Sequence, residues 1–224
     1  MTDFMISQVE LVRHLKKDTR VLTSSRLEKT FLAIDRANFV PEALRGGAYK
    51  DYALPIGYGA TISQPTTVAF VLEKLDVREG QKVLDIGSGS GWTTALLANL
   101  VGEKGKVIGL EIVPEIVAFG QRNLAKYHSY IPGKVGISKL NAEIRQAEKG
   151  AVGLPEEAPF ERILVSAAAR EVPRELIDQL APDGVLVIPV GRQFESQKIL
   201  RIRKKSDGTL ETEEYPGFVF VPLK

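Results

Sequence analysis

The sequence predicts an α/β fold: a doubly wound, mostly parallel sheet, with antiparallel strands at its C-terminal end and a helical extension at its N-terminus. Three observations carry this. From Thr67 onward, short apolar runs alternate with amphipathic segments of helix length, the pattern of strand–helix–strand units. A glycine-rich turn, Gly87-Ser-Gly-Ser-Gly91, joins one such run to the helix that follows. After Val185 the pattern becomes strand-like segments around Ser206-Asp-Gly208, with no helix between them. Parallel neighbours need long crossovers, whereas a short turn joins antiparallel ones.

In chain order, residues 5–18 carry Ile6, Val9, Val12 and Leu15 at helical spacing. Ser24 or Ser25 caps a second helix through Leu27, Phe31, Leu32 and Ile34. Pro41 and Gly46-Gly47 interrupt regular structure. Residues 49–65 read as an extended, glycine-punctuated loop with short strands lying on the fold. A helix over 68–75 then leads to a strand over 82–86, a helix over 92–101 and a strand over 107–111. Pro114 opens a helix continued by Ile116, Phe119 and Leu124, proline being favoured at the first helical position. Residues 126–139 are the least regular and read as a surface excursion. Strands follow over 142–147 and 162–166, a helix over 173–180, a turn at Pro182-Asp-Gly184 and a strand over 185–190. Two last strands are expected over 197–203 and 217–222. Residues 1–66 thus form a helical and loop extension that covers a site on the sheet domain of residues 67–224, the two together making one compact unit.

A chain of 224 residues suits one large domain. Its 44% hydrophobic and 26% charged content is that of a globular protein, not a disordered one. The absence of cysteine excludes a disulfide framework and thiolate metal sites, and His14 and His128 lie too far apart in sequence to point to zinc, so no metal is expected. No basic segment followed by an apolar run opens the chain, and no run approaches the ~18 apolar residues of a membrane span. A cytoplasmic location without membrane contact is the expectation. A net charge of +2 gives no footprint for nucleic acid.

The chemistry concentrates at the glycine turn. Val83-Leu-Asp-Ile86 forms a strand, the turn follows, and the next helix offers free N–H groups at its start. The spacing is GxGxG, not the GxGxxG of dinucleotide sites. About twenty residues on, the next strand ends in Glu111, where an acid takes ribose hydroxyls. Together these read as a nucleoside site at the C-terminal edge of a parallel sheet, with the spacing of S-adenosylmethionine rather than NAD. Elsewhere, Trp92 reads as packing, Asp51 as either a loop anchor or a substrate contact, and Arg201, Arg203, Lys204 and Lys205 as the solvated edge of a strand.

Four blocks resemble a known family. They are Tyr49-Lys-Asp51 with Leu54-Pro-Ile-Gly57 and Thr61-Ile-Ser-Gln-Pro65; Asp85 to Gly91; Ala158-Pro-Phe-Glu-Arg-Ile-Leu-Val-Ser-Ala-Ala-Ala169; and Gly184-Val-Leu-Val-Ile-Pro-Val-Gly191. Through them, and through Phe39-Val-Pro41 and Phe220-Val-Pro-Leu223, nearly the whole chain resembles the protein-L-isoaspartate (D-aspartate) O-methyltransferases. The resemblance implies a Rossmann-like, class I methyltransferase fold. It implies methyl transfer from S-adenosyl-L-methionine to the free carboxyl of L-isoaspartyl or D-aspartyl residues in damaged proteins. Separately, a monomer with no nucleic-acid partner is the expectation. Carried over by position, Ser63 is the active-site serine. Ile62, Thr67, Asp85, Gly87, Ser88, Gly89, Gly91, Glu111 and Ile112 hold the cofactor. Ile62, Ser63, Val165, Ser166 and Ala167 meet the substrate, with the 165–168 segment as its floor.

One block departs. Where the family has Gly-Asp-Gly near the adenine, this chain reads Gln146-Ala-Glu-Lys-Gly150. One residue inserted before Gly153 sets Glu148 opposite the family's acid, whereas alignment on Gly150 sets Lys149 there. Arg170 stands where the family commonly has proline. The altered block leaves two other readings: a carboxyl methyltransferase of one specific peptide or small molecule, or a non-catalytic S-adenosylmethionine-binding protein.

Overall fold

The computed structural model describes residues 7–129, 141–192 and 195–223. A hairpin of β1 (Leu54–Gly57) and β2 (Ala60–Ile62) precedes the main sheet. The sheet is built of β3 (Lys82–Ile86), β4 (Lys106–Glu111), β5 (Ala142–Gln146), β6 (Phe160–Val165), β7 (Leu180–Val190), β8 (Gln197–Lys204) and β9 (Leu210–Phe218). These lie in the order β5-β4-β3-β6-β7-β8-β9. β3 to β7 pair in parallel, and β8 and β9 are antiparallel to their inner neighbours. The helices are α1 (Gln8–Lys17), α2 (Ser25–Ala33), α3 (Pro65–Leu75), α4 (Trp92–Val101), α5 (Pro114–Ser129) and α6 (Arg174–Asp178).

The central strands are apolar along their length because both faces are covered. Val83 and Val107 face one core with residues of α1 to α5, whereas Leu84 and Ile108 face a second core closed by α6 and by Val152 and Leu154. Sheet growth reverses at β3: β4 and β5 extend one way, β6 and β7 the other. The carboxyl ends of β3 and β6 therefore flank a topological switch point, where open α/β sheets bind ligands. At the opposite end, the Glu157 carboxylate gathers Lys82, Lys106 and Arg145.

The extension packs into the first core rather than standing apart. Ser7 caps α1 and Ser24 caps α2, each side chain accepting a main-chain N–H. The buried stripe of α1 is Gln8, Leu11, Val12 and Leu15, and Val9, expected in it, is 66% exposed. The stripe is displaced because it contains a polar residue: the Gln8 amide donates to the carbonyls of Phe31 (2.6 Å) and Ile34 (3.3 Å). Leu32, read as part of the α2 face, is also exposed.

Three other expectations shift. The turn at 182–184 is a bulge inside β7. Phe160 and Arg162 of β6 face Leu180 and Val185 of β7, and Asp183 takes a φ of 59° to let the extra residues loop out. The helix expected over 173–180 is only the short α6. The last strand is β9, at 210–218 rather than 217–222. It shows no apolar alternation because it lies at the sheet edge and pairs by charge: Glu211, Glu213 and Glu214 bond Lys205, Arg201 and Lys198. Within the basic run, Arg201 and Lys205 thus pair with that acidic strand, Arg203 pairs with Asp183 and Lys204 donates to the carbonyls of Ile177 and Leu180, and β8 is not the edge. Residues 219–223 instead run beside the segment after β6, where Ala168 N–H donates to Val221 O (2.8 Å) and Leu223 N–H to Ala168 O (2.9 Å). Of the excursion expected over 126–139, the start belongs to α5, and residues 130–139 lie outside the described residues. Among the described residues no helix is long and apolar enough to cross a membrane.

Candidate active site

The glycine turn stands at the carboxyl end of β3 and is held from below. Gly87 and Ser88 both donate to Leu110 O, at 2.8 and 3.0 Å, tying the turn to the end of β4. Gly87, Gly89 and Gly91 take φ values of 76°, 53° and 85°, which L side chains rarely adopt. α5 closes on the turn from the side. Asn123, buried, donates to Ser90 O (3.0 Å), and a Cβ on Gly120 would come within 2.7 Å of Gly89 O.

Glu111 fixes the other lip. One carboxylate oxygen accepts from the N–H groups of Ile112 (2.8 Å) and Val113 (3.1 Å), and the second accepts from Gly89 N–H (3.2 Å). The acid is thereby held in one orientation across the two strand ends. It keeps lone pairs free for a ligand, since an ionised carboxylate offers about four acceptor sites.

Asp85 lies beneath the turn with no solvent exposure. Its Oδ2 accepts from the hydroxyls of Thr93 (2.8 Å) and Thr94 (2.7 Å), which pins the start of α4 to β3. Its Oδ1 has no protein partner. Burial pushes this carboxyl up to about 6 from the usual 3.8; the bonds from Thr94 and Thr93 pull it back down, and the charge of Glu111 adds to the rise. The Ser88 hydroxyl is likewise buried without a protein partner.

Three adjoining hollows open above these groups. The first runs from the glycine turn past Glu111 and Ile112 to Glu148 and Gly153. A small second hollow lies among Ser88, Ser90, Ile62 and Ser63. The third is walled by Asp51 and Tyr52 on one side and by Ser63, Gln64 and Thr67 on the other, with 219–222 as its rim. Thr61 and Ser166 line all three, so the hollows meet at these two residues.

Most of the residues singled out from the sequence meet here. Gly87, Gly89, Glu111, Ile112, Glu148, Ser166 and Ala167 line the first hollow, and Lys149 does not. Ile62 and Ser88 line the second, which Ser63 shares with the third. Thr67 lines the third, not the hollow beside the turn. Asp85, Gly91 and Val165 stand behind these walls. Asp85 is the buried anchor of α4, Gly91 packs toward Gly120 O, and Val165 is buried within the sheet. Asp51 is both anchor and lining: it accepts from Thr66 N–H (2.9 Å), Thr66 Oγ1 (2.6 Å) and Gln64 Nε2 (3.3 Å). Trp92 packs edge-on against Phe31 and also borders the small hollow.

Sequence reasoning missed Thr61 as a shared wall, the tip of the β1–β2 hairpin at Tyr58 and Gly59, and the fully buried Arg36. Thr61 stands in the same quoted block as Ser63 and was open to notice. Nothing about a lone arginine in a helical extension marks it as buried.

The donor set of the first hollow tests what it suits. Glu111 and Glu148 line it, and among the described residues no Lys, Arg or His does. Such a lining repels a pyrophosphate and suits a nucleoside carrying positive charge. Apolar walls from Leu110, Ile112 and Val152 flank the two acids, as a purine requires. The residues present therefore fit S-adenosylmethionine and do not fit a dinucleotide.

Comparison with known proteins points the same way. The sequence model of the protein-L-isoaspartate(D-aspartate) O-methyltransferase (PCMT) family matches residues 6–224. A protein-L-isoaspartate O-methyltransferase of Methanopyrus kandleri is 41% identical over 222 residues, covering 98% of this chain and 92% of its own. One from Anaeromyxobacter dehalogenans is 45% identical over 208 residues, covering 92% and 90%. Among solved structures, a PCMT from Plasmodium falciparum in complex with S-adenosyl-L-homocysteine superimposes with a TM-score of 0.82 at 29% identity, covering 96% of this chain and 97% of that one.

Proposed function

The chain belongs to the protein-L-isoaspartate(D-aspartate) O-methyltransferase family, and from that premise we propose how its residues divide the work of methyl transfer. It is an S-adenosylmethionine-dependent enzyme of protein repair, acting on the free carboxyl of L-isoaspartyl residues, and of D-aspartyl ones, in damaged proteins. When bound, the cofactor supplies an electrophilic methyl group on a sulfonium.

In the proposed division, the first hollow holds the nucleoside. Glu111 accepts from the ribose hydroxyls, and Ile112 and the apolar walls flank the adenine. Glu148, at the far end of the same lining, takes the adenine amino group in place of the family's Asp. Gly87, Ser88 and Gly89 let the ligand lie against the main chain, with Ile62 closing the small hollow beside them. The third hollow takes the isoaspartyl segment of the substrate.

The observation that carries this reading is the meeting of the three hollows at Thr61 and Ser166, with Ser63 shared between the small hollow of the glycine turn and the third hollow. A carboxyl has a pKa of ~4 and is already ionised at neutral pH, so the transfer needs no strong base. The chain's task is to hold one carboxylate oxygen in line and to keep water out, and orientation of this kind lowers barriers by up to ~7–11 kcal/mol. Ser63 donates its hydroxyl to the substrate carboxylate and acts as a positioner, not a nucleophile. Main-chain groups and the small side chains of Ser166 and Ala167 form the floor. We extend the proposal to a monomer acting in the cytoplasm on protein and not on nucleic acid.

Transfer of a tritiated methyl group to an isoaspartyl peptide and to its normal aspartyl twin tests the reading. Labelling of the first alone is expected. Labelling of neither, with S-adenosylhomocysteine still bound, would mark a binding protein without this activity.

A further inference from the structure

The two walls of the third hollow come from separate parts of the extension, and one buried cation joins them. Arg36 is fully buried. Its Nη1 donates to the carbonyls of Ala48 (2.8 Å) and Lys50 (3.4 Å), and its Nη2 donates to Tyr52 O (3.1 Å). On its other side Nη2 reaches Ile62 O (3.5 Å) and Ser63 O (3.1 Å). Alternate carbonyls of 48–52 thus turn inward onto one guanidinium, which also grips the main chain of Ser63 itself.

The guanidinium is placed from behind. The Gln8 Oε1 accepts from the main-chain N–H of Arg36 (3.4 Å), fixing the backbone that carries the side chain, and the guanidinium lies over the Trp92 ring at 5.3 Å. Trp92 directly follows the glycine turn and donates to Ile34 O (3.4 Å). Burial lowers the guanidinium to about 10, against the opposing pull of Asp51, so it stays cationic at neutral pH. Among the described residues no carboxylate forms an ion pair with it; its acceptors are main-chain carbonyls. A planar five-donor fork can bridge two strands of chain in this way, and a lysine ammonium cannot.

We propose that Arg36 is a positioning residue that sets the spacing between the 50–53 and 61–64 walls of the substrate cleft and the direction in which Ser63 points. The proposal rests on the reading of that cleft as the isoaspartyl site. Asp51 clasps the same two walls nearer the solvent, through Gln64 and Thr66, and is itself 3.4 Å from His14 of α1. On the cofactor side Arg36 meets only the Ile62 carbonyl and the Trp92 ring; the glycine turn, Glu111 and Glu148 have no bond to it. Wall spacing therefore acts on the substrate more than on the cofactor.

The test compares the parent enzyme with Arg36→Lys, using L-isoaspartyl and D-aspartyl forms of one peptide, with activity counted per cofactor-binding molecule. Misplacement by an ångström costs about 10²-fold, so kcat/KM on the isoaspartyl peptide should fall by that order in Arg36→Lys. Affinity for S-adenosylhomocysteine, by calorimetry, should stay within about twofold, and the ratio of kcat/KM between the two peptides should change. Loss of folded protein alone scales both peptides equally, so an unchanged ratio overturns the proposal, as does full activity. If Arg36→Lys does not fold, Asp51→Asn loosens the same walls from the solvent side. It should move the peptide ratio in the same direction, and an unmoved ratio there counts against cleft spacing as the determinant. Failure of the parent to label the isoaspartyl peptide would instead remove the reading of the cleft itself.

Discussion

The nucleoside hollow and the substrate cleft share a wall but are built in different ways. The first is assembled from strand ends: a turn after β3, an acid at the end of β4 and a loop after β5, each fixed by its own few residues of sequence. The second is assembled from an extension with little regular structure, whose loops are held by the side chains of Arg36 and Asp51. In the proposed division, a ligand common to every turnover is met by the sheet edge. A substrate that varies from protein to protein is met by a cleft whose spacing hangs on two proposed clasps.

That contrast breaks most sharply at Glu111. Its side chain accepts three main-chain N–H bonds as well as facing the hollow. Glu111→Ala should weaken S-adenosylhomocysteine by about 1.5–3 kcal/mol, the range for hydrogen bonds to a charged group. Unchanged affinity in a calorimetric titration would remove Glu111 from the site.

Two glycines sharpen it next. A Cβ at Gly120 would stand 2.7 Å from Gly89 O and 2.9 Å from an Ile144 methyl, so Gly120→Ala must push α5 off the glycine turn. Overpacking of this kind costs about 1–3 kcal/mol, and cofactor affinity should fall with it. Gly59, at the tip of the β1–β2 hairpin, has a φ of 77° but open space around its Cβ. Gly59→Ala should cost only about 1–2 kcal/mol, from backbone strain. Denaturant melts of the two variants check the order, and a Gly59 variant less stable than the Gly120 one would contradict it.

Asp85 gives a pH signature belonging to the sheet side alone. Its carboxyl stands at about 6 in the folded state against 3.8 for the free group. The folded protein therefore binds this proton more tightly than the unfolded chain. The group's contribution to stability falls as pH rises from ~4 to ~6 and is flat above that. Asp85→Asn should be stabilising relative to the parent near pH ~7.5, with the advantage shrinking toward pH ~4.5. A difference that stays constant with pH would show that the carboxyl is not the titrating group.

The smallest expected effect is at the adenine end. Glu148 is exposed at the rim, so Glu148→Gln should weaken S-adenosylhomocysteine by well under ~1.5 kcal/mol, and Lys149→Ala should leave it unchanged. The reverse order would favour the alignment on Gly150.

The sequence was legible where function and local structure coincide. β3, the glycine turn and Glu111 announce themselves because a parallel strand buried on both faces reads as an apolar run, and a ligand-cradling turn needs glycine. Ser63 is singled out only by the block around it, since a single hydroxyl in a loop carries no periodic signal. What stayed hidden depends on partners far along the chain. Arg36 looks like any helical-segment arginine until carbonyls of 48–52 and 62–63 close around it. The position of β9 was missed because most of its residues are exposed at the sheet edge and its acids pair with basic residues of β8, leaving no apolar alternation. The bulge in β7 reads as a turn because Pro182-Asp-Gly184 has turn chemistry, and only the pairing with β6 on both sides makes it part of a strand.

The division between the two regions is tested most directly at Ser63, which lines the proposed substrate cleft. Turnover of Ser63→Ala on an isoaspartyl peptide should be measured beside its affinity for S-adenosylhomocysteine. The account predicts a fall in kcat of about tenfold or more, worth ~1.4 kcal/mol per factor of ten, with cofactor affinity unchanged because the lost bond is made to substrate. Full turnover, or a loss of cofactor affinity that matches the loss of rate, would contradict it.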